Sequence, residues 1–267
     1  MKDSIFHKHD LITPAYVYDE ANMVNVLESL ASVKERTDCL PLYSIKSASI
    51  LGLLELIKPY VSGFSCSSIY EARLAKEILN EEQTIHITTP GYREDEWQAI
   101  IDLCDFISLN SVSQWQRYAK EINTQSSCGI RINPELSFVK DERYDPCRPD
   151  SKLGMTFEQI ANAKEVLNWE LIQGIQIHNN CESNRFEELK QSIGKVTVSL
   201  DEYKPKLKWI NLGGGYLFDS ETNIKPLEDT ILYLQDKFGV DVYIEPGKGV
   251  TGQAGSLVAR VIDLIET

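Results

Sequence analysis

Side chains that could act together on one small molecule follow separate apolar runs of this sequence. Lys46 ends the run LPLYSIK, His178 follows GIQI, Gly213 to Gly215 follow WINL, and Glu245 follows VYI. A lysine amine is a nucleophile suited to Schiff-base chemistry, and successive glycines let backbone N–H groups approach a phosphate. A histidine can stack on a flat ring or move protons, and a carboxylate can hold a ring cation. Together these residue types predict a site for a planar, phosphorylated cofactor.

Each of these residues, taken alone, also has a plainer interpretation. Lys46 at the end of an apolar strand should have an enclosed stem and a nucleophilic amine, but it could equally extend into solvent. The glycines could form a tight turn, since no Walker A loop or GxGxxG motif is present. Glu245 could pair with a neighbouring lysine or arginine, and His178 could be a core residue. Only their joint arrangement favours the cofactor.

The elements that must position these residues are short apolar runs alternating with helical periodicity. Eight runs read as buried parallel strands, which is the pattern of a (β/α)8 TIM-type barrel in the α/β class. The active sites of such barrels lie where the strands end. The predicted strands are 40–46, 63–66, 84–90, 106–110, 129–133, 174–180, 209–215 and 242–247.

Stretches with the apolar spacing of amphipathic helices separate the strands. Ser111 and Thr156 are predicted N-caps, and Gly239 is a predicted C-terminal stop. The connection from Asn133 to Met155 is long and lacks periodicity, so we expect a functional loop there rather than a flexible insertion. The predicted helices are 21–35, 48–60, 68–79, 93–104, 111–122, 156–167, 183–198 and 224–239.

The two ends of the chain predict a second, β-rich region. Residues 14–19 read as a strand outside the barrel, and no eighth helix is expected after Gly247, where a bend leads into a β run from Leu257 to Ile265. We therefore divide the chain into an N-terminal strand segment (1–20), the barrel (21–250) and the start of a C-terminal β domain (251–267), most of which is missing.

Composition limits the partners of this 267-residue chain. A net charge of -13 argues against nucleic acid and is compatible with cationic substrates. The six cysteines and four histidines have no spacing typical of a metal site or a disulfide framework, so reduced thiols and a cytoplasmic location are expected. No apolar run approaches the length of a membrane span, and no membrane association is predicted.

At its polar strand ends the sequence resembles the alanine-racemase-like, fold type III pyridoxal phosphate decarboxylases. Within them it is most similar to the polyamine branch, the carboxynorspermidine decarboxylases. The resemblance covers nearly the whole chain and rests on the motifs TPAYVYDE, YSIK, FSCSSIYEARLA, YDPCRPDSKLGM, IHNNCE, INLGGGY and EPGKGVTGQAGSLVARVIDLIE.

The resemblance implies roles for individual residues. It implies pyridoxal 5'-phosphate bound covalently at Lys46, with His178 against its ring, Gly213, Gly214 and Gly215 at its phosphate and Glu245 at its ring nitrogen. It also implies an active-site acid at Glu71 and contacts of Cys181 and Glu182 with phosphate or substrate. Lys248 stands where relatives carry Glu or Arg, so we expect it to alter the charge near the cofactor or substrate.

The activity implied is decarboxylation of carboxynorspermidine or carboxyspermidine to norspermidine or spermidine, in a homodimer whose C-terminal β domain completes the partner's site. Three alternatives stay open: a barrel that binds pyridoxal phosphate without decarboxylating, a decarboxylase for another amino acid, and a Schiff-base aldolase without the cofactor.

Overall fold

Eight parallel strands close into a barrel in the computed structural model, which describes residues 11–122, 126–203, 205–218 and 222–266. Strands β2 to β9 are hydrogen-bonded in chain order, and β9 pairs with β2 to complete the circle. The strands are β1 (Ala15–Tyr18), β2 (Leu40–Ser44), β3 (Gly63–Cys66), β4 (Thr84–Thr88), β5 (Phe106–Leu109), β6 (Ser127–Ile132), β7 (Gly174–Ile177), β8 (Trp209–Asn211), β9 (Asp241–Ile244) and β10 (Gly255–Val258). The predicted barrel is therefore confirmed.

Helices follow the barrel strands as the periodicity predicted. The side chains of Ser111 and Thr156 cap their helices, and Gly239 ends its helix in the left-handed conformation. The helix after Thr156 ends at Asn162 and not at residue 167. The helices are α1 (Glu20–Thr37), α2 (Leu51–Ile57), α3 (Ile69–Ile78), α4 (Glu94–Leu103), α5 (Val112–Tyr118), α6 (Phe157–Asn162), α7 (Phe186–Leu200), α8 (Lys225–Phe238) and α9 (Lys248–Thr251).

The barrel interior changes from aromatic to polar along the strands. Near the strand starts, Trp209, Tyr243 and Leu42 form a buried cluster against Phe106. Further along, Arg131, Gln176 and Asn211 lie side by side on consecutive strands. Because a layer of side chains fills the lower interior, the polar layer above it faces the open, carboxyl-terminal end of the barrel.

His86 lies within the aromatic layer. Its ring stacks on Phe106 with centroids 4.0 Å apart, and its Nε2 has no hydrogen-bond partner. Burial lowers the pKa of His86 from 6.5 to about 3. Between these values the unfolded chain binds a proton that the folded chain does not, so stability falls as the pH decreases from 6.5 towards 3.

We therefore expect His86→Leu to remove part of the acid sensitivity of the fold. The free energy of unfolding of the variant minus that of wild type should increase by about 3 kcal/mol when the pH is lowered from about 7.5 to about 4.5. Urea unfolding followed by tryptophan fluorescence measures both values, and any packing change from the substitution cancels because it is present at both pH values. An equal difference at both pH values would contradict the assignment.

The predicted strand at the start of the chain pairs with the last strand, outside the barrel. β1 and β10 form an antiparallel pair in which Ala15 lies opposite Val258 and Tyr18 opposite Gly255. The predicted β run 257–265 is wrong beyond Val258, because β1 offers no further partner past Ala15. The prediction of no eighth helix also needs correction, since the single-turn helix α9 follows Gly247. Residues 1–10 of the predicted N-terminal segment lie outside the described residues.

Over the described part of the chain, helices fall short of the length and hydropathy needed to cross a membrane.

Candidate active site

A cavity of about 260 Å³ opens at the carboxyl-terminal end of the barrel. It brings together four residues that the sequence singled out on distant segments: Lys46, His178, Cys181 and Glu245. Its other walls are Ser44, Ser65, Cys66, Ser67, Thr88, Pro90, Arg131, Arg143, Tyr144, Asp145, Pro146, Arg148, Leu153 and Gln176. The expected convergence of the polar strand ends is thus observed for Lys46, His178 and Glu245, whereas Gly213 to Gly215 lie outside the cavity lining.

Backbone hydrogen bonds fix how the strand ends meet. Ser44 N–H donates to the carbonyl of Pro246 at 3.0 Å, which joins the segment before Lys46 to the segment after Glu245. Glu245 N–H donates to the carbonyl of Gly213 at 2.8 Å. Because backbone hydrogen bonds continue into these turns, the main chain before Lys46, around Glu245 and at Gly213 forms one connected rim.

Lys46 lies in the cavity lining, but its local structure differs from the expectation. β2 ends at Ser44, and Lys46 is the middle residue of a 3-10 turn, Ile45–Ser47. The Ser47 hydroxyl donates to the Ser44 carbonyl at 2.9 Å and so stabilises this turn. The Lys46 side chain is exposed, and the predicted enclosed stem is wrong because Lys46 lies in the turn after β2 and not within the buried strand.

His178 is held with one nitrogen as an acceptor. Gly214 N–H donates to its Nδ1 at 3.2 Å. Burial, followed by the nearby charges of Lys46 and Arg131, sets the pKa of His178 well below 6.5. The ring is therefore neutral at pH 7, and its remaining proton is on Nε2.

The glycine turn is required by close packing between strand ends. A Cβ on Gly214 would lie 2.2 Å from the Glu245 carbonyl oxygen, and one on Gly215 would lie 2.0 Å from the Asn180 carbonyl oxygen. Gly213 N–H donates to Asn211 Oδ1 at 2.9 Å. No larger residue fits here without displacing backbone, and the predicted phosphate contacts of the glycines stay a prediction.

Glu245 is buried among polar groups that the sequence reasoning had not identified. Asn211 Nδ2 donates to its Oε1 at 2.8 Å. Arg131 lies close enough to Glu245 for their charges to interact. Burial lowers the pKa of Arg131, and the negative charge of the Glu245 carboxylate raises it. Gln176 is 2% exposed, and its Oε1 has no hydrogen-bond partner. The signal for these residues was a polar side chain inside each apolar strand, in GIRIN, GIQIH and WINL.

Glu71 is placed behind the cavity wall. Its carboxylate accepts hydrogen bonds from the Ser67 N–H at 2.7 Å and the Ser67 hydroxyl at 3.0 Å. Ser67 lines the cavity and Glu71 is outside the lining. The contact that this geometry supports is positioning of Ser67, and the predicted contact of Glu71 with substrate stays a prediction.

Glu182 and Lys248 pair with each other outside the cavity lining. Lys248 Nζ lies 2.6 Å from Glu182 Oε1, with both side chains about half exposed. The pair joins the segment after Cys181 to helix α9.

Burial raises the pKa of the Cys181 thiol, so it is protonated at pH 7.

The residues present fit pyridoxal phosphate. The cavity supplies an amine on Lys46, a neutral ring on His178 and a buried carboxylate on Glu245. The unpartnered Gln176 Oε1 indicates a polar group missing from the barrel end. At about 260 Å³ the cavity is slightly below the usual range for small-molecule sites, and it is open on one side.

Comparison with known proteins places this site in a family. Residues 23–252 match the family model for the pyridoxal binding domain of pyridoxal-dependent decarboxylases. The chain is 32% identical to a carboxynorspermidine/carboxyspermidine decarboxylase from Campylobacter jejuni, over 95% of this chain and 65% of that protein. It is also 32% identical to a carboxyaminopropylagmatine decarboxylase from Synechocystis, over 96% of this chain and 65% of that protein.

A solved structure shows the same relationship. The crystal structure of Campylobacter jejuni carboxynorspermidine decarboxylase complexed with norspermidine superposes with a TM-score of 0.83 at 30% identity, over 96% of this chain and 65% of that chain. The chain thus spans about 65% of the length of these relatives. Its barrel has the alanine-racemase-like fold, and the chain belongs to the pyridoxal-dependent decarboxylases, whose pyridoxal binding domain it contains.

Proposed function

We propose that this chain binds pyridoxal phosphate and supplies the barrel half of a decarboxylase for carboxylated polyamines, such as carboxyspermidine and carboxynorspermidine. The observation that carries the proposal is the single cavity in which Lys46, His178 and Glu245 meet at the barrel end. The relatives that are 32% identical, two decarboxylases of carboxylated amines by name, support the substrate class.

The proposed cofactor contacts follow from the site geometry. Lys46 would hold the cofactor covalently through Nζ, and Glu245 would hold the proton of the ring nitrogen. His178 would lie against the ring as a neutral imidazole, and the turn Gly213 to Gly215 would meet the phosphate. Asn211 orients the Glu245 carboxylate through its hydrogen bond, which keeps an oxygen of Glu245 in a fixed direction.

Each of these residues has a defined protonation task. When bound, pyridoxal phosphate accepts the electrons that loss of CO2 leaves on the substrate α-carbon. Glu245 stabilises the protonated ring nitrogen on which that capacity depends. The neutral His178 adds no positive charge beside Lys46 and Arg131. The Cys181 thiol, which stays protonated because burial raises its pKa, keeps a proton within the cavity lining.

The test is incubation of the purified chain with pyridoxal phosphate and carboxyspermidine, with CO2 and released amine as the readouts. We expect a yellow protein, because the proposed cofactor contacts all lie in the barrel, and formation of both products would show that the barrel half suffices for turnover. A yellow protein that forms neither would leave a cofactor-binding barrel without decarboxylase activity. A colourless protein that forms neither would contradict the proposal as a whole.

A second candidate is a decarboxylase for an amino acid without a polyamine chain. Arg148 lines the cavity, and its charge disfavours a polycationic substrate tail, whereas the Arg143 guanidinium is paired with the Asp141 carboxylate at 2.6 Å. Measuring kcat/KM for carboxyspermidine against diaminopimelate and lysine under the same conditions separates the two candidates. Preference for either amino acid would favour the second.

Assembly and location are also proposals. We infer a homodimer, supported by the exposed apolar side chains of Ile50, Leu51, Tyr70 and Tyr144 on segments that follow barrel strands. We assign residues 1–20 and 251–267 to a second β-rich region, supported by the pairing of β1 with β10 away from the barrel. A cytoplasmic location is supported by six free cysteines.

A further inference from the structure

Asn110, directly after strand β5, holds the loop that forms one wall of the cavity. Its side chain is buried at 4% exposure and uses both of its polar atoms on that loop. Asn110 Nδ2 donates to the Lys152 carbonyl at 2.8 Å, and Asn110 Oδ1 accepts from the Gly154 N–H at 2.8 Å. The Asn110 side chain therefore forms the hydrogen bonds to the backbone of Lys152 and Gly154 that a neighbouring strand would otherwise provide.

The loop in question is the β6–α6 loop, residues 133–156. It leaves the barrel at the end of β6 and returns beside the same strand, where Asn133 N–H donates to the Met155 carbonyl at 2.9 Å and Met155 N–H donates to the Arg131 carbonyl at 2.9 Å. β6 thus supports the returning segment on one side and Asn110 supports it on the other. The loop supplies Arg143, Tyr144, Asp145, Pro146, Arg148 and Leu153 to the cavity lining.

The middle of the loop is ordered by its own hydrogen bonds around Asp145. The Asp145 carboxylate accepts from the Ser137 hydroxyl and from the Cys147 N–H, and the Asp145 carbonyl accepts from Arg148 Nη1 at 3.0 Å. Because the loop is internally tied, its position over the cavity depends on where it is attached. The attachment on the β5 side is Asn110.

We propose that Asn110 is a positioning residue that fixes the β6–α6 loop as a stationary wall of the substrate end of the cavity. It acts through the loop and stands outside the cavity lining itself. The link to substrate rests on the proposed function, whereas the link to loop position does not. Asparagine is needed because its Nδ2 must donate to the Lys152 carbonyl while its Oδ1 accepts from the Gly154 N–H. Aspartate would keep the bond from Gly154 but would place a carboxylate oxygen against the Lys152 carbonyl.

Limited proteolysis of the full chain with pyridoxal phosphate present tests the loop position. Trypsin can cut the β6–α6 loop after Lys140, Arg143 or Lys152, whereas the bond after Arg148 is protected by Pro149. We expect cleavage there to be about tenfold faster in Asn110→Ala than in wild type, because two buried hydrogen bonds to the loop are lost. Asn110→Asp should fall between them.

The matched control is Asn80→Ala. Asn80 Oδ1 accepts from the Glu82 N–H at 3.1 Å on the exposed turn before β4, so the same change removes a side chain to backbone bond far from the cavity lining. The control should leave cleavage of the β6–α6 loop unchanged. Hydrogen exchange of the wild-type protein is a test that does not depend on whether the variants fold. The Gly154 amide, which donates to Asn110, should exchange as slowly as the amides of the barrel strands.

Steady-state kinetics supply the readout that a merely structural residue would not change. In Asn110→Ala we expect KM for the substrate to rise about tenfold with a smaller change in kcat, and unchanged affinity for pyridoxal phosphate, whose proposed contacts lie on other strands. Equal loop cleavage in variant and wild type, or rapid exchange at Gly154, would overturn the proposal. Absence of turnover in wild type would count against the proposed function and leave the cleavage and exchange results to decide on Asn110.

Discussion

Replacing Lys46 by alanine is expected to leave a folded barrel that does not become yellow with pyridoxal phosphate and does not release CO2. Lys46 is exposed and lies in a turn after β2, so its removal leaves no buried gap in the core. It supplies the only lysine amine in the cavity lining of the described residues. The loss of activity should be on the order of a thousandfold or more, because the covalent anchor of the cofactor is gone.

Lys46→Arg is the matched control for charge. It keeps a cation beside His178 but offers no nucleophilic amine, so it should behave like alanine in cofactor attachment. Borohydride reduction followed by peptide mass spectrometry checks the attachment directly. A reduced adduct on any lysine other than Lys46, or a yellow Lys46→Ala protein, would show that the site is assigned to the wrong residue.

The barrel could be read from the sequence because each strand carries its own signal. Runs such as GFSC and FISL are buried on both faces, so they are short and apolar, and the helices between them keep one apolar face. Capping residues also act locally, and Ser111 and Thr156 were found for that reason. The last strand was less predictable. VARVIDLI has the composition of a strand, but a strand also needs a partner, and pairing with β1 stops at Val258.

The convergence of Lys46, His178 and Glu245 was predictable for a similar reason. In a parallel barrel all strands end at the same edge, so residues at strand ends meet whatever their separation in sequence. The exposure of Lys46 was not predictable, because the apolar run continues to Ile45 in the sequence, whereas β2 ends at Ser44 and Lys46 lies in the 3-10 turn that follows. Arg131 and Gln176 were missed although each is a polar residue inside an apolar run, because that signal does not show which groups the side chain meets inside the barrel.

The residues of the β6–α6 loop show the same limit. Its length and lack of periodicity indicated a functional loop, and the structure places that loop in the cavity lining. Which of its residues face the cavity depends on attachments to β5 and β6 through Asn110 and Met155. Those contacts join segments more than forty residues apart in the case of Asn110 and Gly154, so no local pattern could reveal them.

Gly174→Ala is expected to destabilise the fold strongly, by adding one methyl group beneath the active site. A Cβ at Gly174 would lie 1.9 Å from Cε2 of Trp209, a ring that is 1% exposed and held by a hydrogen bond from its Nε1 to Ser127 Oγ at 2.7 Å. Overpacking a core costs about 1–3 kcal/mol and occasionally more. We expect a loss of at least about 3 kcal/mol, since the indole has no free space into which it could move.

A glycine-to-alanine substitution on a helix surface should instead increase the free energy of unfolding. Gly194 lies in helix α7, and a Cβ there meets no atom within 4 Å, so Gly194→Ala should stabilise the chain by about 0.5–1 kcal/mol. Urea unfolding followed by circular dichroism measures both variants. Adding Trp209→Phe to Gly174→Ala should recover part of the loss, because the smaller ring leaves room for the methyl group.

The clash between a methyl group at Gly174 and the Trp209 ring should also affect the active site. Gly174 and Trp209 begin the strands that end near His178 and Gly213. In the double variant Gly174→Ala, Trp209→Phe, cofactor binding should return together with stability. Trp209 does not line the cavity, and it affects the site only by setting the spacing of these strands. A Gly174→Ala protein as stable as wild type would mean that the barrel can widen at its closed end, and the rigid spacing of the strand ends above it would then need another cause.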